Sequence, residues 1–165
     1  MNRYMHVLYC DDIRWEISNK SSLIGVYNGV LFVTEFPVVL PKLMVAITVM
    51  TEVADPFQSL SVTLFRGDEP ISEISVPPED LSKAAQSGQL SPPIEDSSSL
   101  KGFPLSSFNA VMSMAPFPIE KATILRAIAR TEAGELRGPV LRIALFPDAT
   151  GAVASSVVGA ETPVH

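Results

Sequence analysis

A chain of 165 residues, 47% apolar and 18% charged with a mean hydropathy of +0.28, can bury a sizeable core, which excludes disorder throughout. Its net charge of −6 and pI near 4.8 argue against a nucleic-acid partner and against polybasic attachment to a membrane surface. The lone cysteine, Cys10, excludes an intrachain disulfide framework and a cysteine-based zinc site.

Taken in chain order, residues 4–10 are apolar and rich in strand formers. Asp11 and Asp12 follow at once, leaving no room for a signal-peptide apolar region, so a cytoplasmic location is expected. Residues 23–27 and 30–34 flank Asn28-Gly29, a favoured type I′ pair, and predict a hairpin. In residues 43–50 both parities are apolar, which suits a central strand buried on both faces. Pro37 and Pro41 bar a helix just before it. Residues 38–50, the longest apolar-rich stretch, contain Pro41 and Lys42 and are too short to cross a membrane, which takes about 20 apolar residues.

Residues 60–66 and 71–76 alternate around Gly67-Asp68-Glu69-Pro70 and predict a second hairpin. Leu60, Val62 and Leu64 share one face, and Ser61 and Thr63 the other. From 77 to 107 the composition shifts to five prolines and eight serines, with acidic pairs Glu79-Asp80 and Glu95-Asp96. A short helix fits residues 79–86, and the remainder predicts a long surface loop whose acidic pairs are candidate contact residues.

Residues 119–136 read two ways. At helical spacing Ala122, Leu125, Ala129, Ile124 and Ile128 form an apolar face, and at strand spacing the same residues divide between two faces. The turn-like 131–135 and the clear strand at 140–146 favour strand. Residues 148–165 are small, neutral and Gly/Ala/Ser-rich and predict a flexible tail. The whole predicts an all-β, single-domain antiparallel β-sandwich over residues 1–147, immunoglobulin-like or C2-like, with one long loop.

Candidate sites are sparse. Cys10 and His6 lie four residues apart in one strand, about 13 Å by strand rise, too far to share a proton. The other histidine, His165, falls in the tail, and Cys10 reads as a small buried hydrophobe. Adjacent Asp11 and Asp12 point to opposite faces, so a calcium site would need help from Glu16, Asp55, Asp68 or Asp80 on other loops. Arg66-Gly67-Asp68 reads as a turn, and Gly25-x-x-x-Gly29 lacks the lysine of a phosphate loop. Trp15, the single tryptophan, sits between Arg14 and Glu16 and is either an edge-packing aromatic or an anchor for a sugar or a partner. The proline-rich stretches 37–41 and 111–118 read as interface patches or as edge strands closed by proline.

The runs Tyr9-Cys10-Asp11-Asp12-Ile13-Arg14-Trp15-Glu16, Ser22-Leu23-Ile24-Gly25-Val26-Tyr27 and Phe36-Pro37-Val38-Val39-Leu40-Pro41-Lys42-Leu43 resemble a bacterial family of uncharacterised domains. The resemblance covers residues 4–76 and is weaker over 119–143. It implies an all-β sandwich and a strand at 124–130, and it carries no activity, cofactor or site residue.

The reading is a non-enzymatic cytoplasmic β-sandwich that binds another protein or a second copy of itself, with no cofactor expected. The alternatives are a sugar- or calcium-binding module on the sandwich loops, and an enzyme built from carboxylates such as Asp12, Glu16 or Glu35.

Overall fold

The computed structural model describes residues 3–18, 20–87 and 105–147. The tail 148–165 and most of the long loop, Glu95 and Asp96 included, lie outside them. The described elements run β1 (Tyr4–Cys10), β2 (Asp12–Glu16), β3 (Lys20–Ile24), β4 (Val30–Val33), β5 (Val38–Leu40), β6 (Leu43–Glu52), β7 (Leu60–Arg66), β8 (Glu69–Val76), α1 (Pro78–Ser87), β9 (Leu105–Met114), β10 (Phe117–Ile119), β11 (Thr123–Thr131) and β12 (Gly134–Leu145).

Two sheets form an all-β sandwich, one ordered β1-β6-β9 and the other β4-β12-β11-β7-β8. Alternation decides what each strand buries: Met5, Val7 and Tyr9 of β1 and Val45, Ile47 and Val49 of β6 face inward. They meet Val62 and Leu64 of β7, Leu125, Ala127 and Ala129 of β11, and Leu141 and Ile143 of β12. The Tyr9 hydroxyl crosses the core to the carbonyls of Leu125 (3.3 Å) and Pro139 (3.2 Å), which satisfies a buried polar group. Burial pushes its pKa above the usual phenol range.

Strand β6 is central, as its two-sided apolar pattern predicts, but its second face is only half covered: Ala46, Thr48 and Met50 are partly exposed. The 60–76 hairpin forms around Gly67-Asp68, with Leu60, Val62 and Leu64 in the core. Residues 123–131 form a strand paired with both β7 and β12, and the short helix at the start of the long loop is α1.

Two expectations need correction. Residues 23–27 and 30–34 do not form a hairpin. Of the Asn28-Gly29 pair only Gly29 takes a positive φ (83°), whereas a type I′ turn needs it at both positions. Instead β3 pairs back onto β2, and β4 joins β12 in parallel, the single parallel pairing among the described strands. Secondly, the stretch 105–107, placed in the loop, opens β9, which pairs with β6 over ten residues. The two proline-rich stretches, by contrast, meet each other: β10 pairs with β5, and Phe117 and Ile119 go into the core. That pairing favours the strand reading of both stretches over the interface reading.

Candidate functional site

The β2–β3 hairpin folds back over the solvent-facing side of the three-stranded sheet. Pairing sets Ile13 beside Leu23 and Trp15 beside Ser21 on one face of the hairpin. The first pair closes over Cys10 and Met44 and makes a small satellite core with Ala46 and Val111. The second pair lies nearer the hairpin tip, where Trp15 stays largely in water.

A cleft of about 370 Å³ results, lined by Leu8, Trp15, Leu23, Thr48, Asn109 and Val111 among others. Trp15 is 72% exposed, Leu8 is 48% exposed, and Ile17 at the hairpin tip is 89% exposed. On the cleft floor the Thr48 hydroxyl donates to Asn109 Oδ1 at 2.7 Å. The site is therefore a mixed trough, apolar side chains interspersed with Ser21, Thr48 and Asn109 beside a tryptophan wall.

Charged groups near the hairpin are held by local partners. Asp12 accepts a hydrogen bond from Lys42 Nζ at 2.6 Å, and this contact holds its carboxyl below the usual range. Arg14 Nε stands 4.0 Å from Asp12. Glu16 accepts from Ser22, and Asp11 accepts from the Tyr27 hydroxyl. Tyr27 also donates its backbone N–H to the Tyr9 carbonyl at 2.8 Å, which straps residues 25–29 to the end of β1. Burial, then the neighbouring Asp11, push the Tyr27 hydroxyl above its ordinary pKa.

Cys10 is fully buried, and desolvation followed by Asp11 and Asp12 raises its thiol pKa, so it is a poor nucleophile. His6 sits four residues away on the same strand, edge-on to Tyr4 at 5.8 Å. The residues considered for calcium are not brought together. Asp55 pairs with Arg3, Asp68 with Arg126 and Asp80 with Lys83, and among the described residues no group of three His, Cys, Asp or Glu gathers. Glu79 and Asp80 occupy the first turn of α1, where carboxylates complement the helix N-terminus. Arg66-Gly67-Asp68 is the β7–β8 turn beside a second cleft of about 420 Å³, whose lining mixes Arg66, Asp68, Glu69, Glu120 and Lys121.

A second apolar surface lies on the opposite side of the sandwich. Phe32 stacks on Phe146 at 5.3 Å, and Val30, Ile124 and Val140 are exposed beside them. Sequence reasoning missed it because the parallel β4–β12 pairing that gathers these residues leaves no local pattern. For the cleft, the readable signal was the alternation Ile13/Trp15 against Ser21/Leu23.

No family model matches the chain, and neither the curated proteins nor the solved structures contain a match to it.

Proposed function

We propose that the chain is a non-catalytic, cytoplasmic protein-binding module of bacterial origin that docks a partner chain in the cleft beside Trp15. The carrying observation is the single tryptophan left 72% exposed on the wall of a trough lined in large part by apolar side chains. Burying a large apolar side chain gains about 1.5–3 kcal/mol, so a partner that closes over Trp15 and Leu8 recovers energy the isolated chain leaves unused. Tryptophan in a desolvated pocket is also the commonest kind of interface anchor. A thiol buried with raised pKa and carboxylates bound to local partners support the non-catalytic part. A lone cysteine suits a reducing compartment.

One observation favours a second reading. Trp15 together with the Thr48–Asn109 pair offers a stacking face and a polar rung of the kind that holds a sugar. Because Trp15 is the sole tryptophan, its emission reports on the cleft directly. Under the protein-binding reading, emission and acrylamide quenching stay unchanged across a panel of monosaccharides and oligosaccharides and across calcium. A saturable blue shift with any sugar that is lost in Asn109→Ala would replace this reading with the second.

A further inference from the structure

We propose that β9 is a self-pairing edge: a second copy of the chain adds its own β9 antiparallel to this one, joining two three-stranded sheets into a continuous sheet of six. The proposal goes beyond the Trp15 cleft, since it concerns the backbone edge of the sheet and names the partner as the same chain.

An unpaired strand edge presents alternating N–H and C=O groups that only another extended strand can satisfy, and folded proteins blunt such edges with charge, proline, bulges or cover. The other edges of the sandwich are blunted. β8 carries Glu69, Pro70 and Glu73, and proline cannot donate to a ladder. β4 has four residues. β1 lies against β12, where a Cβ on Gly138 would collide with Val7, and its end is taken by the N–H of Tyr27.

β9 has no charge, proline or bulge, although α1 touches it. It is ten residues long, Leu-Ser-Ser-Phe-Asn-Ala-Val-Met-Ser-Met, without a charge or a proline. Its pairing with β6 runs the full ten residues with no bulge. Among the described residues its outer edge receives no backbone hydrogen bond and no neighbouring strand. In a chain of net charge −6, an uncharged edge is where two copies approach with least like-charge cost.

Pleating restricts the register. Phe108, Ala110 and Met112 lie on the core side of β9, in register with Val49, Ile47 and Val45. Ser107, Asn109, Val111 and Ser113 lie on the solvent side. A two-fold axis through Ala110 keeps the sides matched, setting Phe108 opposite Met112, Asn109 opposite Val111 and Ser107 opposite Ser113. The solvent side of β9 also lines the Trp15 cleft, through Asn109 and Val111, so pairing would extend that trough across the axis.

The test is sedimentation equilibrium of three full-length proteins, each checked for native circular dichroism. The wild type is expected to dimerise. S107K/S113K sets lysine against lysine in both facing pairs and is expected to be monomeric, its two sites being exposed. S107K/S113E sets lysine against glutamate and is expected to recover the dimer. As a second readout, a nitroxide on Asn109→Cys, the native Cys10 being buried, should show strong dipolar broadening, because the two labelled Cα atoms stand about 8 Å apart. A wild type that stays monomeric at its highest soluble concentration overturns the proposal. So does a dimer that survives S107K/S113K, or one without broadening at position 109. A monomeric wild type would leave the cleft reading standing, since Trp15 emission tests it separately.

Discussion

Arg3 shows how one residue ties distant loops together. Its side chain is 6% exposed, with Nη2 2.6 Å from Glu132 Oε1 and 3.1 Å from Asp55 Oδ2, and its guanidinium lies over Phe57 at 5.0 Å. The other oxygen of Glu132 accepts the backbone N–H groups of Gln58 and Ser59, each at 3.0 Å. Burial works against the charge on Glu132, but these N–H groups and Arg3 prevail and hold its carboxyl at about 2, against an ordinary 4.5. Since the folded value is the lower one, the stabilisation is complete above about pH 4.5 and fades as pH falls towards 2. Arg3→Met leaves two carboxylates facing each other, and we expect it to cost about 2–3 kcal/mol at pH 7, read by urea unfolding. Part of the acid sensitivity between pH 4.5 and 2 should vanish with it. An unchanged midpoint would remove Arg3 from the account. Nothing near Arg3 in the chain announces this clasp, because its partners lie in the β6–β7 loop and the β11–β12 turn.

Among the elements, those specified locally were legible and those that depend on distant chain were not. The 60–76 hairpin is set by period-two alternation and a glycine turn, and β11 by the turn that returns it to β12, so both follow from neighbouring residues. β9 carried its own alternation, Phe108, Ala110, Met112 and Met114 against Ser107, Asn109, Val111 and Ser113. It was hidden because the serine-rich loop composition runs into its first residues. β4 chooses β12 over β3 for a reason no local pattern holds: the strap of residues 25–29 carries the chain away from the hairpin.

Two outcomes test the packing of these elements. With Ile13 and Leu23 over Cys10, native protein should react slowly with a thiol reagent. Ile13→Ser should speed the reaction at least about tenfold while leaving the sandwich folded, because local opening then needs about 1.4 kcal/mol less. Equal rates would mean that the hairpin does not seal the thiol. At Gly138, any Cβ meets Val7 Cγ2 with Met5 Cε close behind. Gly138→Val should therefore overpack the β1–β12 contact and cost about 1–3 kcal/mol in thermal or urea unfolding. Trp15→Ala, by contrast, should change stability by less than about 0.5 kcal/mol, since the side chain is largely in water.

At the scale of the molecule, the acidic residues are unevenly spread along the chain. Seven of the eighteen acidic residues fall between positions 68 and 96, and those described belong to β8, α1 and the turn before β8. The solvent side of the three-stranded sheet is instead apolar around Leu8, Trp15 and Ile17. The proposed contact surface is the hairpin cleft; most of the acidic loop that composition singled out lies outside the described residues. Of the candidate residues visible in the sequence, the structure sets Arg66 and Asp68 in the second cleft and Trp15 in the hairpin cleft. The cleft itself depends on the hairpin folding over β6 and β9, which local patterning does not specify. The most direct measurement replaces Trp15 with a photo-crosslinking phenylalanine derivative, irradiates cells producing the protein, and identifies adducts by mass spectrometry, with Leu8→Glu as the paired control. The account predicts a discrete protein adduct that Leu8→Glu abolishes; no protein adduct, or one of equal yield with Leu8→Glu, would contradict it.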